Sequence, residues 1–116
     1  AAFEAMRPKQ ADAVIVQPSL LHPSVAALAL KQRLPSFAPN RLLPVMGGLM
    51  SYGGIHTELW RDAAAYVDKI LKGSRPADLP VAQVTRFELV INLRTARSLG
   101  LDLPPLLLAR ADEVIE

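Results

Sequence analysis

Few side chains in this 116-residue chain combine a reactive type with a reactive spacing. His22 and His56 stand alone without a partner at metal-ligand spacing, so each reads as a capping or solvent-facing residue and no metal site is expected. The absence of cysteine removes thiolate zinc sites, iron–sulfur clusters and cysteine nucleophiles. Ser51, His56 and Asp62 can be written down as a hydrolytic triad. No nucleophile elbow surrounds Ser51, however, and Asp62 belongs to a polar helix face, so no catalytic residue is expected. Gly47-Gly48 and Gly53-Gly54 match neither G-x-G-x-x-G nor G-x-x-x-x-G-K-[ST]. They punctuate strands instead of cradling phosphate, and no cofactor is expected. What remains is recognition chemistry. Ser51 and Tyr52 offer hydroxyls that orient a polar group, with a ring that stacks an aromatic one, beside glycines that let a ligand approach the backbone. Gln17 and Ser19 are polar residues in a similar position. Asn40 and Arg41 suit a carboxylate, since a guanidinium binds it through two parallel hydrogen bonds. The plainer alternatives are Tyr52 at the edge of the core, Asn40 as a cap and Arg41 as solvated surface.

These residues follow short apolar runs. Ala11–Gln17 (ADAVIVQ) has the Val/Ile content of a strand buried on both faces, and Pro18 ends it. Pro35–Pro39 and Gly48–Tyr52 read as second and third strands. Phe87–Asn92 is a fourth, running into a helix over Leu93–Leu99 that Gly100 closes. Phe3–Arg7 looks like a last helical turn stopped by Pro8, Pro23 sits well in the first turn of a helix, and Arg41–Met46 reads as a short turn or helix. The longest helix has Thr57 as its expected N-cap, and its apolar stripe is Leu59, Trp60, Ala63, Val67, Ile70 and Leu71. Gly73 supplies its left-handed cap. Trp60 on that stripe is expected in a core or an interface. A Pro104-Pro105 corner leads to a helical tail whose acidic end is Asp112, Glu113 and Glu116. This alternation predicts an α/β fold, a parallel sheet with helices on both faces. Ligands of such sheets sit beyond the carboxyl ends of the strands, where Gln17, Ser19, Asn40, Arg41, Ser51 and Tyr52 fall.

The composition is 51% hydrophobic and 21% charged, which fits one globular domain with a core of its own. The net charge is +2, and the basic residues are spread from Arg7 to Arg110 without a cluster, so no nucleic-acid partner is expected. No apolar run reaches the ~18 residues of a membrane span. The opening AAFEAMRPKQ lacks an initiator Met and reads as the end of a helix, the expectation for an excised fragment.

Four segments together carry a family resemblance: ADAVIV before a proline-containing loop; GGLMSYG; RDAAAYVDKILKG with PADLPV; and FELVINLRTARSLGL with PPLLLARADEVIE. In these the chain resembles the carboxyl-terminal part of the substrate-binding proteins of bacterial ABC importers. The group is one of type I periplasmic-binding fold, some of whose members bind aromatic amino acids. The loop Gln17–His22 departs from the polar or aromatic text expected after the first strand, and Pro39–Leu42 from the aromatic or charged cluster expected after the second. The resemblance implies one lobe of a two-lobed receptor that closes on a small-molecule solute, engages an ABC permease and works on the periplasmic or extracellular face of the membrane. It assigns residues 1–84 to the second lobe and 85–116 to a crossover strand and helical tail returning to a first lobe that this chain lacks. A tail without its sheet neighbours would expose a strand edge, and a homodimer through the tail is expected. One wall of a pocket is expected to bind solute weakly or not at all. The alternative function with the same fold is the effector-sensing domain of a transcription regulator.

Overall fold

The computed structural model describes residues 2–6 and 10–116; Arg7 and Pro8, expected to end the first helix, lie outside them. The contacts divide the chain into two units, residues 1–53 with 88–116, and residues 54–87.

The first unit is built on a five-stranded sheet in the order β1-β2-β3-β4-β5. After α1 (Ala2–Met6), β1 (Val14–Ile15) is a two-residue edge strand, shorter than the apolar run around it. Among the described residues it has a neighbour on one side only, where the Val14 and Val16 amides donate to the carbonyls of Pro35 and Phe37 at 2.9 and 2.7 Å. A 3₁₀ turn, Pro18–Leu20, leads to α2 (Pro23–Lys31). His22 caps α2, its ring accepting from the Ser24 amide at 3.2 Å. Ala26 and Ala29 of α2 are fully buried, and their small side chains let the helix backbone approach the sheet. Next come β2 (Ser36–Ala38), α3 (Leu42–Val45) and β3 (Met50–Gly54). Val16, Ala26, Ala38 and Leu43 form the buried cluster, with Val14, Leu21, Val25 and Met46 packed around it.

β1, β2 and β3 are parallel neighbours, with Ile15, Phe37 and Met50 in one row across them. β4 (Phe87–Asn92) runs the other way. The Asn92 amide donates to the Leu49 carbonyl, whereas the Ile55 amide donates to that of Arg86, so the registers advance in opposite senses. β5 (Glu113–Ile115) is parallel to β4. The class is α/β with a mostly parallel sheet, and the reversal brings the first residues of β4 and β5 to the end where β1–β3 finish.

The tail departs from expectation in two ways. Its strand is not left with an open edge, because β4 lies between β3 and β5 with Val90, Ile91 and Asn92 buried; the sheet edges are β1 and β5. The expected helical terminus holds only for α6 (Pro105–Ala109), after which the chain extends as β5. Pairing with β4 over Val90, Ile91 and Asn92 outweighs the weak helical preference of so short a segment. Asn92 joins this strand to two helices. Its Nδ2 donates to the Pro44 carbonyl at the end of α3, and its Oδ1 accepts from the Thr95 amide at the start of α5 (Leu93–Leu99). Gly100 ends α5 with φ +71°, the left-handed conformation expected of it.

The second unit holds α4 (His56–Leu71) and a return loop. Ile55, not Thr57, occupies the N-cap, and Gly73 ends the helix region at φ +100°. The Tyr66 hydroxyl donates to the Pro80 carbonyl, and Arg86 pairs with Glu58, strapping the loop along the helix. No residue from 54 to 87 is buried, and Trp60, expected in a core or interface, is 73% exposed. The division also differs from the expected break after Val84. Residues 88–116 pack with 1–53, and 54–87 form the separate unit.

Candidate functional site

Three parallel strands deliver their following residues to one end of the sheet, and five of the six recognition residues are exposed or half-buried there. Gln17 opens the 3₁₀ turn, its carbonyl accepting from the Leu20 amide at 2.9 Å, and the Gln17 and Ser19 side chains are exposed. Asn40 is half-buried and its Oδ1 accepts from the Leu42 amide at 2.9 Å, the capping role that was its plainer alternative. Tyr52 is 64% exposed on the outer face of β3.

Strand alternation separates Tyr52 from Ser51. Val16, Ala38 and Ser51 point to the buried face, while Ile15, Phe37 and Tyr52 share the outer one. Together with Ala13, Ala38 and Pro39, the outer three line an open hollow of about 570 Å³. An exposed apolar shelf with an aromatic ring at a strand end fits a flat or aliphatic ligand portion, and polar neighbours can fix its orientation. Gly53 makes this corner possible. A Cβ there would lie 1.9 Å from the Pro39 carbonyl oxygen, so only glycine lets the end of β2 pack so closely on β3.

Ser51 and Arg41 are engaged differently. Ser51 is 1% exposed and its hydroxyl has no hydrogen-bond partner among the described residues, so a solute reaches it only if its neighbours move. Arg41 hydrogen-bonds to Glu113, with Glu88 3.8 Å from its Nε. The Glu113 carboxylate, by that hydrogen bond and then by its charge, raises the guanidinium pKa, with Glu88 adding a smaller push and slight burial opposing it. A ligand carboxylate at Arg41 therefore competes with two carboxylates already present.

Sequence reasoning missed Ile15, Phe37 and Pro39 as a shelf and Glu88 and Glu113 as rim residues. The available signals were Glu88 interrupting an apolar strand and the acidic-flanked Val-Ile pair of Glu113–Glu116. A second hollow of about 480 Å³ follows the free edge of β1, between Met6 of α1 and Leu28 of α2. It lies along the sheet edge instead of beyond the ends of β2 and β3. Among the described residues, no group of three His, Cys, Asp or Glu is placed to hold a metal ion. No helix among them is long and apolar enough to cross a membrane.

Comparison with known proteins gives a consistent result. The family described as ABC transporter substrate binding protein matches residues 2–115. A search of curated proteins found no match. Among solved structures, a conserved domain protein from Vibrio cholerae O1 biovar El Tor is 27% identical, with a TM-score of 0.87 over 97% of this chain and 39% of that one. An ABC domain in complex with L-Trp from Streptococcus pneumoniae is also 27% identical, with a TM-score of 0.80 over 95% of this chain and 40% of that one. A ligand-free, open substrate-binding protein with adhesive properties from Clostridium difficile shares the fold, at 22% identity and a TM-score of 0.67, covering 98% and 39% of the two chains. The chain thus spans about two fifths of the length of the structures it matches.

Proposed function

Since this chain belongs to the ABC transporter substrate-binding proteins, we propose that the outer rim of β1–β3 is one wall of a solute site in a two-lobed receptor. Proteins of this family bind small-molecule solutes and work with ABC permeases, usually in the periplasm or outside the cell, and are in general not enzymes. The observation that carries the reading is the hollow beside Tyr52, Phe37 and Ile15 at the carboxyl end of the parallel strands. Gln17, Ser19 and Asn40 lie at the same end and supply hydrogen bonds, while Tyr52 and Phe37 supply the apolar contact. Arg41 and Ser51 contribute after a rearrangement, Arg41 by exchanging a carboxylate partner for the solute's. The proposed solute is an amino acid with an aromatic side chain. It fits an apolar shelf flanked by hydrogen-bonding groups, and the Streptococcus structure was solved with L-Trp. Nothing in the family match favours the effector-sensing alternative. One wall provides about half of the contacts, so this chain alone binds weakly, because the remaining contact energy does not offset the entropy of association.

Titration calorimetry of a full receptor carrying this chain, against free L-amino acids, tests the proposal. Replacing Tyr52→Ala should weaken binding of an aromatic amino acid tenfold or more, a change of about 1.4 kcal/mol. Its exposed position means that thermal stability should be unchanged. Unaltered affinity in the Tyr52→Ala receptor contradicts the assignment of this rim.

A further inference from the structure

Arg41 is the one cation among the six recognition residues, and the fold surrounds it with carboxylates. From the turn after β2 it reaches Glu113 at the start of β5, and its Nε lies 3.8 Å from Glu88 near the start of β4. All three side chains belong to the first unit and stay open to solvent, Arg41 and Glu113 nearly half exposed and Glu88 a fifth. Asp112, the next carboxylate along, is engaged by the Leu89 amide at 2.7 Å. One guanidinium therefore faces two free carboxylates, a net charge of −1. A single carboxylate would neutralise Arg41; the second is surplus.

Strand register brings an unused hydroxyl to the same face. The Asn92–Leu49 bond sets Ser51 opposite Val90, and Val90 pairs with Glu113, so the three lie in one row across the sheet. Glu88, two residues from Val90, is on the same side and nearer the rim. The Ser51 hydroxyl is buried and has no hydrogen-bond partner among the described residues. Leaving such a bond unmade is costly, a cost that alanine at this position would avoid.

We propose that Glu113 and Glu88 determine the specificity of the solute site by taking the ammonium of an α-amino acid while Arg41 takes its carboxylate. The inference rests on the solute site at the rim of β1–β3 and names the head group that site requires. Pro39 lines the shelf beside Tyr52 and stands two residues before Arg41, so the charged cluster adjoins the shelf. A solute carboxylate that displaces Glu113 from Arg41 frees Glu113 to join Glu88 on the ammonium, and Ser51 supplies a further acceptor on that face. One internal ion pair is thus exchanged for two with the solute, and the charge of the rim is unchanged. A solute with a carboxylate alone leaves Glu113 and Glu88 without a counter-ion, which is how a site rejects an otherwise similar molecule. A solute with an ammonium alone neutralises the surplus charge without disturbing Arg41.

Titration calorimetry of a full receptor tests this with L-Trp, L-Phe and L-Tyr, each beside its des-amino acid and its decarboxylated amine. The amino acid should bind about a hundredfold or more tighter than its des-amino acid, with the amine between them. Glu113→Gln should weaken the amino acid about tenfold and strengthen the des-amino acid, collapsing the selectivity, and Glu88→Gln should do the same to a smaller extent. A purely structural loss would weaken all three ligands together, and melting temperatures identify any variant that has lost its fold. The comparison of ligands on the unsubstituted receptor holds even then. Equal affinity for amino acid and des-amino acid overturns the proposal, as does a folded Glu113→Gln receptor with unchanged selectivity. Tyr52→Ala separates the two readings. If it weakens the amino acid while the des-amino acid binds equally well to the unsubstituted receptor, the head-group assignment alone fails. If it changes nothing while the selectivity is present, the shelf alone fails. A receptor that binds none of these molecules overturns both.

Discussion

Asn92 makes three elements depend on one amide. Buried to 6% exposure, it bonds to the Pro44 carbonyl and the Thr95 amide, and Thr95 in turn donates to the Gly47 carbonyl at 2.9 Å. Asn92→Ala leaves a buried carbonyl without its partner and a helix without its cap, so it should lower stability by about 2–3 kcal/mol. Urea unfolding followed by circular dichroism measures this, and a loss below half a unit would show the network to be dispensable. This hub was not legible in the sequence, where Asn92 appeared only as the end of an apolar run. Capping roles were easier to read because they are local. His22 caps α2 and Gly100 closes α5, each serving backbone groups within a few positions. Arg41 illustrates the opposite case. Its residue type suits a carboxylate ligand, but Glu113, 72 positions away in sequence, decides how it is engaged.

Among the elements, those with strong periodicity or clear punctuation were read well. The strands at Ser36–Ala38 and Met50–Gly54, the helix from His56 and the helix after Asn92 fall within a few residues of expectation. β5 was missed because three residues carry no period, and only its partner strand gives them extended structure. The direction of β4 was likewise out of reach, since an apolar run reads the same for parallel and antiparallel neighbours. The junction of β2 and β3 gives a sharp test at this scale. The Pro39 carbonyl occupies the space of a Gly53 Cβ, so Gly53→Ala must push the two strand ends apart. Overpacking of this kind costs about 1–3 kcal/mol, and it should also distort the shelf beside Tyr52. Calorimetric melting of the variant checks the first effect; an unchanged melting temperature would mean that the corner is looser than described.

At the scale of the molecule, sequence alone gave the α/β class and the family, because both rest on patterns spread along the whole chain. It set the expected lobe break after Val84, whereas the contacts group residues 54–87 apart from the rest. The tail looked too small for a core, but α5 and β5 complete the first unit, and the segment without a core is α4 and its loop. Composition could not reveal this, since α4 has the same apolar stripe whether its partner lies within this chain or beyond it. The remaining question is where the solute sits. A crystal structure of the full receptor grown with the amino acid it binds answers it most directly. The account predicts solute density in van der Waals contact with the Tyr52 ring and the Phe37 side chain, within hydrogen-bonding reach of Gln17 or Asn40. Density on the opposite end of the sheet, with Tyr52 left open to water, would contradict it.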